Sequence, residues 1–123
     1  MVPKLLLVED DIALRDIYSA RFADEGYNVA VASDGEEALV QAAKEKPDLV
    51  ILDIMMPKIS GLDVLQELKR NPETKDLKVI MMTALGQDSD REKGKQLGAT
   101  RYLVKSQVTL EDVVNTVKEV LTE

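Results

Sequence analysis

The chain contains no cysteine and no histidine among its 123 residues. Without cysteine there is no disulfide, no thiolate chemistry and no Cys-type zinc site. Nothing here requires oxidation, and a cytoplasmic location is the expectation. Without histidine the chain has no imidazole base. Any phosphohistidine that acts on it must therefore belong to another domain or molecule. No apolar run approaches the length of a membrane span, and the N-terminus lacks a signal-peptide pattern. No basic stripe offsets the net charge of −7, which argues against direct contact with nucleic acid. Linkers, internal repeats and low-complexity stretches are also missing, so residues 1–123 read as one domain. What remains is 45% apolar and 32% charged, the balance of a soluble globular chain long enough to bury a real core.

Short apolar runs alternate with longer segments of helical period. The strand candidates are Lys4–Val8, Asn28–Ala32, Leu49–Asp53, Val79–Thr83 and Arg101–Lys105. About five helices lie between and after them. The first spans roughly Ile12–Glu25, with Leu14, Ile17, Tyr18 and Phe22 on one face, and Gly26 stops it. The second begins at Asp34, with Glu37 at capping-box spacing. The third runs from about Gly61 to Asn71, ahead of Pro72. The last starts near Thr109 and carries Leu110, Val113, Val114, Val117 and Leu121 on one stripe. The fourth, roughly Asp88–Leu97, has little to bury and holds Gly94, which costs about 1 kcal/mol relative to alanine in a helix interior. Such a segment belongs at the low-stability end of its domain. The alternation implies an α/β fold, a doubly wound five-stranded parallel sheet covered on both faces. In the flavodoxin-like strand order, 2-1-3-4-5, the first and third strands are neighbours at the switch point.

That adjacency has a chemical consequence. Asp53 ends the run Leu49-Val50-Ile51-Leu52, while Glu9 and Asp10 end the run Leu5-Leu6-Leu7-Val8. Three carboxylates brought to one point repel one another and need a cation, and oxygen-only ligands favour Mg²⁺. The fourth strand ends in Thr83 and the fifth in Lys105. If Asp53 attacks a phosphoryl group, catalysis is chiefly positioning and charge neutralisation. Mg²⁺ held by Asp10 and Asp53 meets one oxygen, with Glu9 acting mainly through a bound water. Lys105 meets a second, and the Thr83 hydroxyl with the Ala84 backbone N–H meets a third. Taken singly, Glu9 or Asp10 reads as a helix cap or loop charge, Lys105 as an edge charge and Thr83 as a good strand former. The joint pattern is what points to chemistry.

These residues resemble the receiver domains of two-component response regulators, the family of the bacterial chemotaxis regulator. The matching segments are Leu7-Val8-Glu9-Asp10-Asp11, Pro47 through Pro57 with Gly61, Met82-Thr83-Ala84, and Gly98-Ala99 leading into Tyr102-Leu103-Val104-Lys105. The resemblance implies that Asp53 is the phosphoacceptor and that Glu9, Asp10, Asp53 and the Met55 backbone carbonyl hold Mg²⁺. It implies that Thr83, Ala84 and Lys105 bind the phosphoryl group, and that Tyr102 and Thr83 form the switch. Asp11 falls one position too late for the family's acidic pair and goes to the start of the first helix. The expected role is a phosphorylation-dependent signalling switch, not a turnover enzyme. Its donor is a histidine kinase or phosphotransfer protein. Its output is a downstream protein or domain reading the fourth helix, fifth strand and fifth helix, and a phosphorylation-dependent dimer stays open.

Two departures stand out. The family commonly places proline after the lysine, often behind a cis bond, and this chain has Ser106, which leaves that loop's geometry open. Met55 and Leu85 are apolar where related domains often carry polar side chains that orient water, so slow self-dephosphorylation is expected. Rival readings have weaker support. A haloacid-dehalogenase-type phosphatase would want a second aspartate where Met55 stands. A nucleotide module would want a glycine-rich phosphate loop, and none follows any strand. A receiver-like domain that never takes phosphate would not need the full residue set. The last helix runs to Glu123 with no output segment after it, which fits either a stand-alone regulator or a receiver cut from a longer protein.

Overall fold

Runs of four or five apolar residues are too short to make stable helices, but they suit strands buried on both faces. The computed structural model, which describes residues 2–84 and 87–123, places them so. Strands β1 (Lys4–Val8), β2 (Asn28–Ala32), β3 (Leu49–Asp53), β4 (Lys78–Thr83) and β5 (Arg101–Val104) form one parallel sheet in the order β2-β1-β3-β4-β5. Between and after them run α1 (Ile12–Asp24), α2 (Gly35–Glu45), α3 (Gly61–Arg70), α4 (Asp88–Gln96) and α5 (Leu110–Leu121). The expected class and strand order are those observed.

Because side chains alternate along a strand, each central strand feeds two cores. Leu6, Val8, Val50, Leu52, Val79 and Met81 pack with Leu62, Val64, Leu65 and Leu68 of α3 and the alanines of α2. Leu5, Leu7, Leu49, Ile51, Ile80 and Met82 pack with Tyr18 and Phe22 of α1 and Val113, Val114, Val117 and Val120 of α5. All five residues of β3, Asp53 included, are buried. No helix among the described residues is long and apolar enough to cross a membrane.

Helix starts follow short polar caps. Asp11, Asp34, Ser60 and Thr109 each accept a backbone N–H from three residues on, which satisfies one otherwise unpaired donor. Asp11 is thus the α1 cap, as expected. Several expectations need correction. Ile17 is 54% exposed rather than part of the α1 core face. Glu37 does not close a capping box on Asp34, because its carboxylate takes the Ser33 hydroxyl instead. The reciprocal box occurs at α5, between Thr109 and Asp112. The fourth strand starts one residue early, at Lys78. The fifth ends at Val104, and Lys105 opens a single 3₁₀ turn, Lys105–Gln107. No cis peptide bond occurs among the described residues, so the Lys105–Ser106 bond is trans.

Candidate functional site

In a parallel sheet all strands point the same way, so their C-terminal ends share one rim. Val8 of β1 pairs with Leu52 of β3, so Glu9 and Asp10, just past β1, and Asp53, the last residue of β3, come to the same rim. One carboxylate oxygen from each lies within 4.8 Å of the others. Glu9 and Asp53 are 3% and 5% exposed, whereas Asp10 faces solvent. The donor set is oxygen-only and partly open to water, which fits a hard cation that keeps some of its waters.

The Lys105 ammonium lies between the two buried acids, 2.7 Å from Glu9 Oε1 and 2.9 Å from Asp53 Oδ2. Asp53 Oδ1 accepts the Met55 backbone N–H at 3.1 Å, and Glu9 Oε2 accepts that of Asp11 at 3.2 Å. Even so, burial pushes the Glu9 carboxyl up to about 7, with Asp53 adding to the rise against the pull of Lys105. Lys105 itself is raised: burial, the largest single influence, would lower it, but the hydrogen bonds and charges of the two acids together outweigh it. The ammonium therefore stays charged, and it is the acid pair that is short of positive charge.

The rest of the rim is built by close approach. A Cβ at Gly61 would collide with the Asp53 carbonyl and the Ile54 backbone, so only glycine lets α3 start against the loop that follows β3. The Gly61 N–H donates to Ile54 O at 2.8 Å and the Ile54 N–H to Met82 O at 2.9 Å, which ties that loop to β4. Thr83, fully buried, ends β4 one residue beyond the Asp53–Met82 pair, and Ala84 after it is exposed. The Met55 side chain is 53% exposed. Leu85, the second apolar residue expected to slow hydrolysis, lies outside the described residues.

Tyr102 stands apart from the acids. It pairs with Met81 and packs toward α4, where the Arg91 guanidinium sits 5.3 Å from its ring centroid and a Cβ on Gly94 would touch the ring. Its hydroxyl is buried with no hydrogen-bond partner among the described residues. One neighbour of the acidic pocket was not anticipated: Tyr18 of α1. Its hydroxyl is raised by burial and feels the charges of Lys105, Glu9 and Asp53. Its sequence position marked it only as part of an apolar face.

Comparison with known proteins agrees with this geometry. A family model described as "Response regulator receiver domain" matches residues 5–118. The chain is 49% identical over 102 residues to the "Probable transcriptional regulator ycf27" of Guillardia theta, covering 83% of this chain and 39% of that protein. It therefore spans about two-fifths of the length of the curated relatives it matches. Among solved structures, the chemotaxis response regulator CheY4 of Vibrio cholerae superposes with a TM-score of 0.90 at 32% identity, covering 98% of this chain and 99% of that one. The response regulator TrrA of Thermotoga maritima, solved in complex with Mg²⁺-BeF, superposes with a TM-score of 0.84 at 35% identity, over 96% of this chain and 98% of that one.

Proposed function

The chain belongs to the receiver-domain family of response regulators, and from that premise we propose that Asp53 accepts a phosphoryl group from the phosphohistidine of a partner kinase or phosphotransfer protein. The observation that carries this reading is the meeting of Glu9, Asp10 and Asp53 at one point, with the Lys105 ammonium on two of them. The residues present suit magnesium, held by Glu9, Asp10, Asp53 and the Met55 carbonyl. When bound, it supplies positive charge against a phosphoryl oxygen and the acid cluster.

The chain's own residues do the remainder. An Asp53 oxygen attacks phosphorus as the donor's P–N bond breaks, and the imidazole leaves with a proton. The phosphoryl group ends as an acyl phosphate on Asp53. Lys105, already in place, moves its charge from carboxylate to phosphoryl oxygen, while the Thr83 hydroxyl and the Ala84 N–H serve another. The pull on Thr83 then biases the end of β4, Tyr102 and the α4–β5–α5 surface toward a second packing read by a downstream protein or output domain. The protein acts as a cytoplasmic signalling switch rather than a turnover enzyme, and it needs no nucleic-acid contact of its own. The apolar Met55 beside the acyl phosphate favours slow loss of phosphate.

The test is incubation of the chain with Mg²⁺ and acetyl phosphate, read by intact mass. A gain of one phosphoryl group that is labile to hydroxylamine and absent in Asp53→Ala is expected. No gain, or a gain that survives in Asp53→Ala, would sink the proposal.

A further inference from the structure

The loop from Ile54 to Ser60 that follows the phosphoacceptor contains a feature with no place in the chemistry above. Lys58 has a φ of +69° although it is not glycine. The Ile59 N–H donates to Pro57 O, two residues back, at 2.9 Å. Together these define a γ-turn of the positive-φ kind, which is rare and strained. Such a turn persists only where its surroundings hold it. Here the Lys58 ammonium reaches across to the start of α2, 3.4 Å from Asp34 Oδ2 and 3.8 Å from Glu36 Oε2. The approach is close because position 35 is glycine: a Cβ there would lie 2.7 Å from Ile59 O and 2.8 Å from Ile59 Cβ. Asp34 is fixed as the α2 cap, and its carboxyl is held below the usual range by the Glu37 N–H and then by Lys58. The anchor at Asp34 is therefore charged and tied to the helix start, although Lys58 and Glu36 themselves are open to solvent. Met55 lies three residues before Lys58, on the same short loop.

We infer that Lys58 is a positioning residue: by bridging Asp34 and Glu36 it clamps the strained turn to α2 and so holds the Met55 segment in the shape that binds the divalent cation. Lys58 need not touch the cation. Its contribution is to spare the loop an ordering step when the cation arrives. The inference rests on the magnesium reading proposed above.

Titration of the full chain with Mg²⁺ by calorimetry tests it, alongside thermal melting in EDTA. Lys58→Met should weaken Mg²⁺ binding about three- to fivefold, the size of one ion pair, and Lys58→Arg should restore it to within about twofold. The gap between the native chain and Lys58→Met should close in about 1 M NaCl, which screens the bridge. Lys58→Gly, which relieves the strained φ, should also bind Mg²⁺ more weakly while melting no lower than the native chain. A purely structural lysine would give the opposite split, with melting lowered in Lys58→Met and the Mg²⁺ affinity unchanged. Unchanged affinity in Lys58→Met or Lys58→Gly, or failure of Lys58→Arg to restore it, overturns the inference while native binding leaves the magnesium reading intact. A native chain that binds no Mg²⁺ overturns both.

Discussion

The rim around Asp53 and the edge formed by α4 and β5 are built in opposite ways. At the rim, two buried acids share one lysine, a glycine lets α3 press against the β3 backbone, and Ser60 caps that helix. At the edge, α4 has no side-chain cap, buries only Gly94, and covers a tyrosine hydroxyl that lacks a partner among the described residues. Groups that perform chemistry gain from being held in place before the reaction. A surface proposed to take two forms gains from having little to lose in either. The chain spends its packing on the first and leaves the second lightly held.

Substitutions can break or sharpen this contrast. The largest effect is expected from Lys105→Met, which strands Glu9 and Asp53 face to face and should cost about 3 kcal/mol in metal-free protein at pH 8, measured by urea unfolding. Added Mg²⁺ should return part of that loss. Gly61→Ala forces backbone apart at the rim and should cost about 2 kcal/mol in the same measurement. Equivalent changes at the edge should do the reverse. Tyr102→Phe removes the orphaned hydroxyl and should stabilise by about 1 kcal/mol. Gly94→Ala, whose new Cβ meets the Tyr102 ring at an ordinary 3.6 Å, should stabilise by somewhat under about 1 kcal/mol and slow hydrogen exchange in α4. If either edge variant destabilises as much as Gly61→Ala, the contrast fails.

The last expected effect is a slope with pH. Burial raises Glu9 from 4.5 to about 7, so between those values the folded state holds more protons than the unfolded one. Metal-free stability should therefore fall as pH rises through that window, with the Glu9 penalty absent below it and fully present above it. Glu9→Gln should flatten the dependence of the urea midpoint on pH. A slope of the opposite sign, or one unchanged in Glu9→Gln, would contradict the assignment.

Most of this was legible in advance where the physics is local or periodic. Apolar runs of strand length gave β1 to β5 to within a residue, and parallel strands leave no choice about which ends share a rim. The meeting of Glu9, Asp10 and Asp53 needed one thing more, the flavodoxin-like strand order that sets β1 beside β3. The misses are where a neighbour decides. Ile17 was read onto the apolar stripe of α1, yet only Tyr18 and Phe22 of that helix are buried and Ile17 faces solvent. Glu37 has capping-box spacing, but its carboxylate takes the Ser33 hydroxyl. Lys105 looks like the last residue of a strand, and only the path of the chain toward α5 turns it into a 3₁₀ start. Neither the positive φ of Lys58 nor the nearness of Tyr18 to the acids carries a pattern in one sequence, because both depend on elements that are distant along the chain.

That 3₁₀ start changes what the lysine can do. A residue inside the ladder is bolted to its neighbours, and moving its side chain's root means tearing sheet hydrogen bonds. Lys105 is mounted just past the last rung, as on a short swivel, with β5 ending at Val104. If Asp53 takes a phosphoryl group as proposed, the ammonium can follow it without breaking the β5 ladder. The tether ends where the travel begins, so the lysine's own share of any movement can be taken up in a turn.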